Sequence, residues 1–123
     1  MLFRSGYDKA NSIKQTSDGG YIIVGFTQSN DGDVHGNHFN PVAGGYDYDG
    51  FVVKTNSNGD TLWTRCFGGT LQDAFSKVIQ LSDGTYMMAG YATSNDGDVS
   101  TPFNDSLENG WLVKLDEIGR AHV

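Results

Sequence analysis

Short apolar runs alternate with polar, glycine-containing turns along most of the chain. The runs are rich in aromatic and β-branched side chains, and no helical periodicity extends beyond two turns. This pattern is typical of many short strands joined by tight turns. It predicts strands at about 10–15, 21–27, 51–55 and 61–67, followed by strands at 75–81, 86–93 and 111–115.

Three of the turns have a recognisable local chemistry. TSDGGY at 16–21 and LSDGTY at 81–86 place Asp-Gly between two strand patterns, which is a strong hairpin signal because glycine adopts positive φ without steric cost. NSNGD at 56–60 predicts a further hairpin, in which Gly59 takes the left-handed position. The chain is therefore predicted to be built from hairpins.

A long segment of the chain occurs twice. Residues 8–34 recur without a gap as residues 73–99, and 13 of the 27 positions are identical. A tandem repeat of this kind indicates a stacked or radial architecture, in which each unit buries its apolar face against a neighbour. The repeat divides the chain into a first unit at 6–70 and a second unit at 71–116.

The second strand of each unit is apolar at nearly every position, as in YIIV at 21–24 and YMMA at 86–89. Such a strand is expected to be covered on both faces. Four-stranded sheets packed face to face satisfy that requirement. We therefore expect an all-β fold made of tandem four-stranded antiparallel blades of a β-propeller, about two blades in all. The second blade is predicted to be incomplete, without a fourth strand after Asp116.

The two ends of the chain differ in character from the repeat. MLFRS at 1–5 and EIGRAHV at 117–123 resemble translated sequencing adapters around an environmental read. Segments of this kind are left out of fold reasoning. The sequence is accordingly expected to be a metagenomic fragment with a non-native tail at each end.

Three segments in fixed order resemble the tandem blades of secreted bacterial β-propeller surface proteins. They are SIKQTSDGGYIIVGFTQSNDGDV, FVVKTNSNGDTLW and FGGTLQDAFSKVIQLSDGTY. The resemblance implies an extracellular or cell-surface location and contact with neighbouring blades of a longer protein. Some members of that group are lectin-like. It therefore implies a non-catalytic binding or display scaffold that recognises glycan or protein through loops 35–50 and 100–110.

The charge balance narrows the range of partners. The chain has 8 Lys and Arg against 15 Asp and Glu, a net charge of −7. This argues against nucleic acid and anionic membranes, since both require a basic surface. No apolar run is long enough for membrane insertion. Cys66 is the only cysteine, which rules out a disulfide within the chain, and its apolar surroundings predict an inert thiol.

Repeated Asn-Asp-Gly-Asp tetrads are candidate Ca²⁺ sites, because they offer several oxygens around a glycine. Their ligands would be Asn30, Asp31 and Asp33 in the first unit, and Asn95, Asp96 and Asp98 in the second. Further oxygens would come from Asp47 and Asp49, or from Asp105 and Glu108. The alternative is a solvated turn at the end of the second strand.

Aromatic side chains of the long loops are candidate ligand contacts. Phe39, Tyr46, Tyr48 and Phe103 would stack on a sugar or contact a protein. The alternative is that they pack down over the edge of the sheet. His35 and His38 are read as solvated loop residues, because a zinc site usually shows three or four spaced ligands.

The chain contains no catalytic motif, so we predict that it is not an enzyme. The rival hypothesis is part of a propeller hydrolase or lyase, with an axial active site mostly outside this piece. Asp8 and Asp73, which recur before the first strand of each unit, are its candidate carboxylates. Both are more simply explained as turn caps. Lys54 and Lys114 are expected to guard a sheet edge or to pair with a turn aspartate.

Overall fold

The computed structural model describes residues 8–28, 48–69, 72–94, 99 and 109–122. They form two antiparallel sheets, each with its strands in sequence order. The first sheet contains β1 (Asp8–Gln15), β2 (Tyr21–Thr27), β3 (Asp49–Thr55) and β4 (Thr61–Phe67). The second contains β5 (Asp73–Gln80), β6 (Tyr86–Ala92), β7 (Asn109–Leu115) and β8 (Ala121–His122). The predicted all-β class is thus confirmed, and this part of the chain has no helix that could span a membrane.

The strands agree with the predicted positions, with one systematic difference. β2 and β4 have the predicted bounds, whereas β1, β3, β5 and β7 each begin two residues earlier than predicted. The ladders explain the extension, because Asp49 pairs with Thr27 and Asn109 pairs with Ala92 at the ends of their partner strands. Polar and glycine residues that the sequence assigned to loops therefore belong to strands.

The prediction that the second unit lacks a fourth strand is wrong for the last described residues. Ala121 pairs with Leu115, so the short strand β8 occupies the place that β4 has in the first sheet. The turn before it, from Asp116 to Arg120, has the same hydrogen bonds as the turn from Asn56 to Asp60. This shared turn geometry returns the chain to the sheet.

The four hairpin turns have one common geometry. In each five-residue turn the first residue donates its N–H to the fifth carbonyl, and the fourth residue donates to the first carbonyl, at 2.8–3.1 Å. The fourth residue is always a glycine with φ between 85° and 89°: Gly19, Gly59, Gly84 and Gly119. The prediction for Gly59 is confirmed. Glycine is needed there because other residues rarely adopt positive φ.

A β-bulge recurs at the same place in both sheets. The register shifts between Ala10 and Ser12 in β1, and between Phe75 and Lys77 in β5. Opposite each bulge lies a repeated glycine. A Cβ on Gly25 would lie 1.8 Å from the carbonyl oxygen of Lys9, and one on Gly90 would lie 1.9 Å from that of Ala74. The bulge therefore accounts for glycine at both positions.

The two sheets pack face to face through a common core. We call face A the side of a sheet that carries Ile22, Val24 and Val52 in the first unit, and Met87, Ala89 and Leu112 in the second. Face B is the opposite side, with Ile13, Ile23 and Val53 in the first unit, and Val78, Met88 and Val113 in the second. The core joins face A of the first sheet to face B of the second. The two units are therefore related head to tail, with different faces in contact.

Aromatic side chains fill the space between the sheets. Phe67 contacts Phe75 edge to face with ring centroids 6.2 Å apart, and Trp63 contacts Tyr86 at 6.3 Å. Trp111 stacks on Phe75 at 4.7 Å. Cys66 lies on the other side of the first sheet and packs against Phe51 and Val53, in agreement with a structural thiol.

Candidate functional site

The long connections of both units leave from the same end of the molecule. In the first sheet the chain departs after β2 and returns at Tyr48, and in the second it departs after β6 and returns at Asn109. Asp73, at the start of β5, links the bases of these connections: its N–H donates to the carbonyl of Tyr48 at 2.8 Å, and its Oδ2 accepts a hydrogen bond from Oγ of Ser94 at 2.7 Å. The hairpin turns lie at the opposite end, since the sheets are antiparallel. We call the first end the loop end.

A buried carboxylate organises the loop end. Asp73 is fully buried at the start of β5. Its Oδ2 accepts hydrogen bonds from the N–H of Gly69 at 2.9 Å and from Oγ of Ser94 at 2.7 Å, and its Oδ1 accepts from the N–H of Ser94 at 3.2 Å. Burial raises the pKa of Asp73, and these hydrogen bonds oppose the rise. Asp73 therefore fixes Ser94, the residue just before the second tetrad.

A second buried carboxylate lies beside the first. Asp49 is 1% exposed at the start of β3. A Cβ placed on Gly68 would lie 2.6 Å from Oδ1 of Asp49 and 2.6 Å from Oδ2 of Asp73. Two carboxyl groups from different sheets therefore converge on one glycine. Glycine is required at that point because any side chain would collide with both oxygens.

The two repeated aspartates, which were predicted to cap turns, make different contacts, and Asp73 accepts a hydrogen bond from the N–H of Gly69 between β4 and β5. Asp8 has another role. Its Oδ1 accepts a hydrogen bond from the hydroxyl of Thr27, its partner on the neighbouring strand. The two units thus use the same aspartate to secure the end of the second strand by different contacts.

Tyr48 is the one predicted ligand contact among the described residues, and it packs onto the protein. Its ring lies 4.4 Å from that of Phe26, and its hydroxyl is 2.6 Å from that of Tyr91. The side chain is half-buried. This geometry matches the packing alternative.

The remaining predicted site residues lie outside the described residues. They are the tetrad ligands Asn30, Asp31, Asp33, Asn95, Asp96 and Asp98, and the aromatic residues Phe39, Tyr46 and Phe103. Within the described ranges, no cluster of three or more His, Cys, Asp or Glu side chains is arranged to hold a metal ion. The Ca²⁺ hypothesis therefore stays a prediction.

At the opposite end, the first unit buries a lysine against a turn aspartate. Lys54 is 2% exposed, and its Nζ lies 2.7 Å from the carbonyl oxygen of Thr55 and 3.1 Å from Oδ2 of Asp18. The hydroxyl of Thr16, the N–H of Gly20 and the ammonium of Lys54 lower the pKa of Asp18 from 3.8 to about 2. The predicted pairing of Lys54 with a turn aspartate is confirmed.

The second unit keeps this turn but exchanges two of its residues. Leu81 replaces Thr16, and Thr85 replaces Gly20. The Thr85 hydroxyl donates to Oδ1 of Asp83 at 2.6 Å, so it supplies the hydroxyl that the turn lost at position 81. Thr85 in place of the second glycine thus compensates for the loss of the Thr16 hydroxyl in the second unit.

The described groups at the loop end act as anchors for the long connections. Asp73 and Asp49 are both buried close to Gly68, and the carboxylate of Asp73 accepts hydrogen bonds from Gly69 and Ser94. The sequence missed this pairing because Asp49 was assigned to a loop and lies far from Asp73 along the chain. No protein-family model matches the chain, and a search of curated proteins gives no match either.

Proposed function

We propose that this chain is a non-catalytic binding or display scaffold of a secreted or cell-surface protein, built from β-propeller blades. It would recognise glycan or protein through loops 35–50 and 100–110. The observation that supports this proposal is that Asp73 contacts the bases of both long connections at one end of the molecule, Tyr48 through its N–H and Ser94 through its carboxylate. Loops of variable length on a rigid scaffold are the usual place for recognition.

The propeller arrangement is supported by the head-to-tail relation of the sheets. Face A of the first sheet packs on face B of the second, and each sheet has a further face of the opposite type. Contacts between unlike faces generate rings when the rotation closes. Four-stranded antiparallel sheets related in this way are the units of a propeller.

The anchors at the loop end support recognition over catalysis. The carboxylate of Asp73 holds Ser94, where the second long connection begins, and its N–H holds Tyr48, where the first one ends. Preorganised loop bases lower the ordering cost of binding. A hydrolase or lyase requires an accessible carboxyl group, and the full burial of Asp73 argues against that alternative.

The proposal is tested on a glycan array with three proteins. In the first variant, residues 35–47 are replaced by a Gly/Ser segment of equal length, and in the control Ser57 and Asn58 of the opposite end are both changed to Ala. We expect the loop variant to lose the binding of the wild type and the turn variant to keep it. Absence of any wild-type binding, or equal loss in both variants, would contradict glycan recognition.

A further inference from the structure

Two sheet faces are not part of the internal contact: face A of the second sheet and face B of the first. Both carry exposed apolar residues at positions equivalent to buried ones. Val52 is fully buried on face A of the first sheet, whereas its equivalent Leu112 on face A of the second sheet is 63% exposed. Val78 is 1% exposed on face B of the second sheet, whereas its equivalent Ile13 on face B of the first sheet is 58% exposed. Two apolar positions buried by the internal contact, Val52 and Val78, thus have exposed counterparts at Leu112 and Ile13.

A hydrogen bond between the sheets repeats this relation. The N–H of Ser17 in the first turn donates to Oε1 of Gln80 in the second sheet at 2.8 Å, and the amide nitrogen of Gln80 is held by Gly84 at 3.2 Å. The repeat places the same residue types at Gln15 and Ser82. The amide nitrogen of Gln15 is likewise held by its own turn, at 3.4 Å from the carbonyl oxygen of Gly19.

The equivalent groups of Gln15 and Ser82 do not form such a bond. Among the described residues, Oε1 of Gln15 accepts no hydrogen bond and the N–H of Ser82 donates none. Gln15 is exposed and is already oriented as Gln80 is. The acceptor Oε1 of Gln15 and the donor N–H of Ser82 therefore lie at opposite ends of the stack of two sheets. Each could bond to its counterpart in another copy of the chain.

We infer that a second copy of this chain docks head to tail, with face A of its second sheet on face B of the first sheet. Leu112 of one copy would cover Ile13 of the other, and the N–H of Ser82 would donate to Oε1 of Gln15. The interface continues the contact that already joins the two sheets. It is heterologous, so that it leads to a ring or an open chain of copies.

The exposed part of face B of the first sheet is in the right place for a second copy of the chain. Phe51 and Val53 on face B of the first sheet are already buried, and the exposed part of that face lies over β1. In the internal contact the equivalent strand, β5, supplies Phe75 and Val78 to the core between the sheets. Docking over β1 would therefore use the strand that makes the same contact within the chain.

Two complementary variants test the proposal by sedimentation velocity. Leu112→Asp places a charge on face A of the second sheet, and Ile13→Asp places a charge on face B of the first sheet. We expect the wild type to associate with rising concentration, each variant alone to stay monomeric, and an equal mixture of the two to form a dimer and nothing larger. Only the mixture brings one intact face of each type together.

Control variants make the result specific. Leu62 is 57% exposed but lies in β4, at the opposite edge of the first sheet from β1, so Leu62→Asp should associate as the wild type does. Gln15→Ala should weaken association about fivefold through loss of one hydrogen bond. Circular dichroism verifies that all four variants fold.

The other outcomes would overturn the inference. A wild type that stays monomeric up to millimolar concentration would mean that another partner, such as a further repeat of a longer chain, covers these faces. Association that survives Ile13→Asp but not Leu112→Asp would show a symmetric contact between like faces. A mixture without dimer would exclude the head-to-tail pairing.

Discussion

The turn between β1 and β2 provides a sharp test of the electrostatics, because the repeat contains its own control. Asp18→Asn keeps an oxygen that can accept from Thr16 and Gly20 but removes the charge that faces buried Lys54. Asp83→Asn makes the same change at the equivalent position of the second turn, where the hydroxyl and N–H of Thr85 are the main cause of the lowered pKa. Only the first variant leaves a buried ammonium without its counter-ion.

The magnitude follows from the lowered pKa of Asp18. A fall from 3.8 to about 2 corresponds to about 2.4 kcal/mol, at about 1.36 kcal/mol for each unit. The Asp18 side chain is 60% exposed, so solvent screening reduces the contribution to about 1 kcal/mol. We therefore expect Asp18→Asn to lower the free energy of unfolding by about 1 kcal/mol at pH 7, and the melting temperature by about 3 °C. Asp83→Asn should have a smaller effect.

The pH dependence distinguishes a charge effect from a change of turn geometry. A carboxyl group with a lowered pKa stabilises the folded state above its unfolded pKa, and this contribution is lost as the pH falls through the folded value. The difference between wild type and Asp18→Asn should therefore be constant near neutrality and vanish between pH 3.8 and about 2. Urea denaturation across this range measures it. Equal losses in the two variants, or a loss independent of pH, would refute the assignment.

Three further predictions concern the bulge, the buried carboxylate and the tetrads. Gly25→Ala and Gly90→Ala should each cost about 3 kcal/mol or more in urea denaturation, because the added Cβ meets a carbonyl oxygen; Gly110→Ala, with no atom near its Cβ, should be close to neutral. Asp73→Ala should cost about 3 kcal/mol, since it removes a buried acceptor of the N–H groups of Gly69 and Ser94. Because the pKa of Asp73 is raised, its stabilising contribution is complete below pH 3.8 and declines as the pH rises through the folded value, so that Asp73→Asn should be most harmful in acid. Ca²⁺ at tenfold excess over its dissociation constant should stabilise the protein by about 1.4 kcal/mol if the tetrads bind it, and an unchanged melting temperature at millimolar Ca²⁺, or an equal rise after Asp→Asn at 31, 33, 96 and 98, would contradict that hypothesis.

The strands and turns were predictable from the sequence because their causes are local. Asp-Gly and Asn-Gly turns between apolar runs fix the hairpins, and Gly59 takes the positive φ that the pattern predicts. The repeat then indicated which strands belong to the same sheet. The early starts of β3 and β7 were missed because Asp49 and Asn109 are poor strand formers that the ladder to β2 and β6 holds in place.

The candidate site was less predictable, because its contacts join distant parts of the chain. Nothing in the sequence near Asp73 indicates that Asp49 approaches the same glycine from the other sheet. The one local signal was the pair Gly68 and Gly69 between two strands, five and four residues before Asp73. A glycine with no turn to explain it often marks a close approach of another group.

Segregation of the hairpin turns from the long connections has an evolutionary consequence. The short turns carry the residues that direct pairing, and the variable segments start from anchors that do not depend on their length. The first connection is five residues longer than the second, yet Thr27 and Ala92 meet their partner strands in the same register. Insertions and deletions can therefore accumulate in the long connections at one end of the sheets, while the turn residues that direct strand pairing at the other end stay the same.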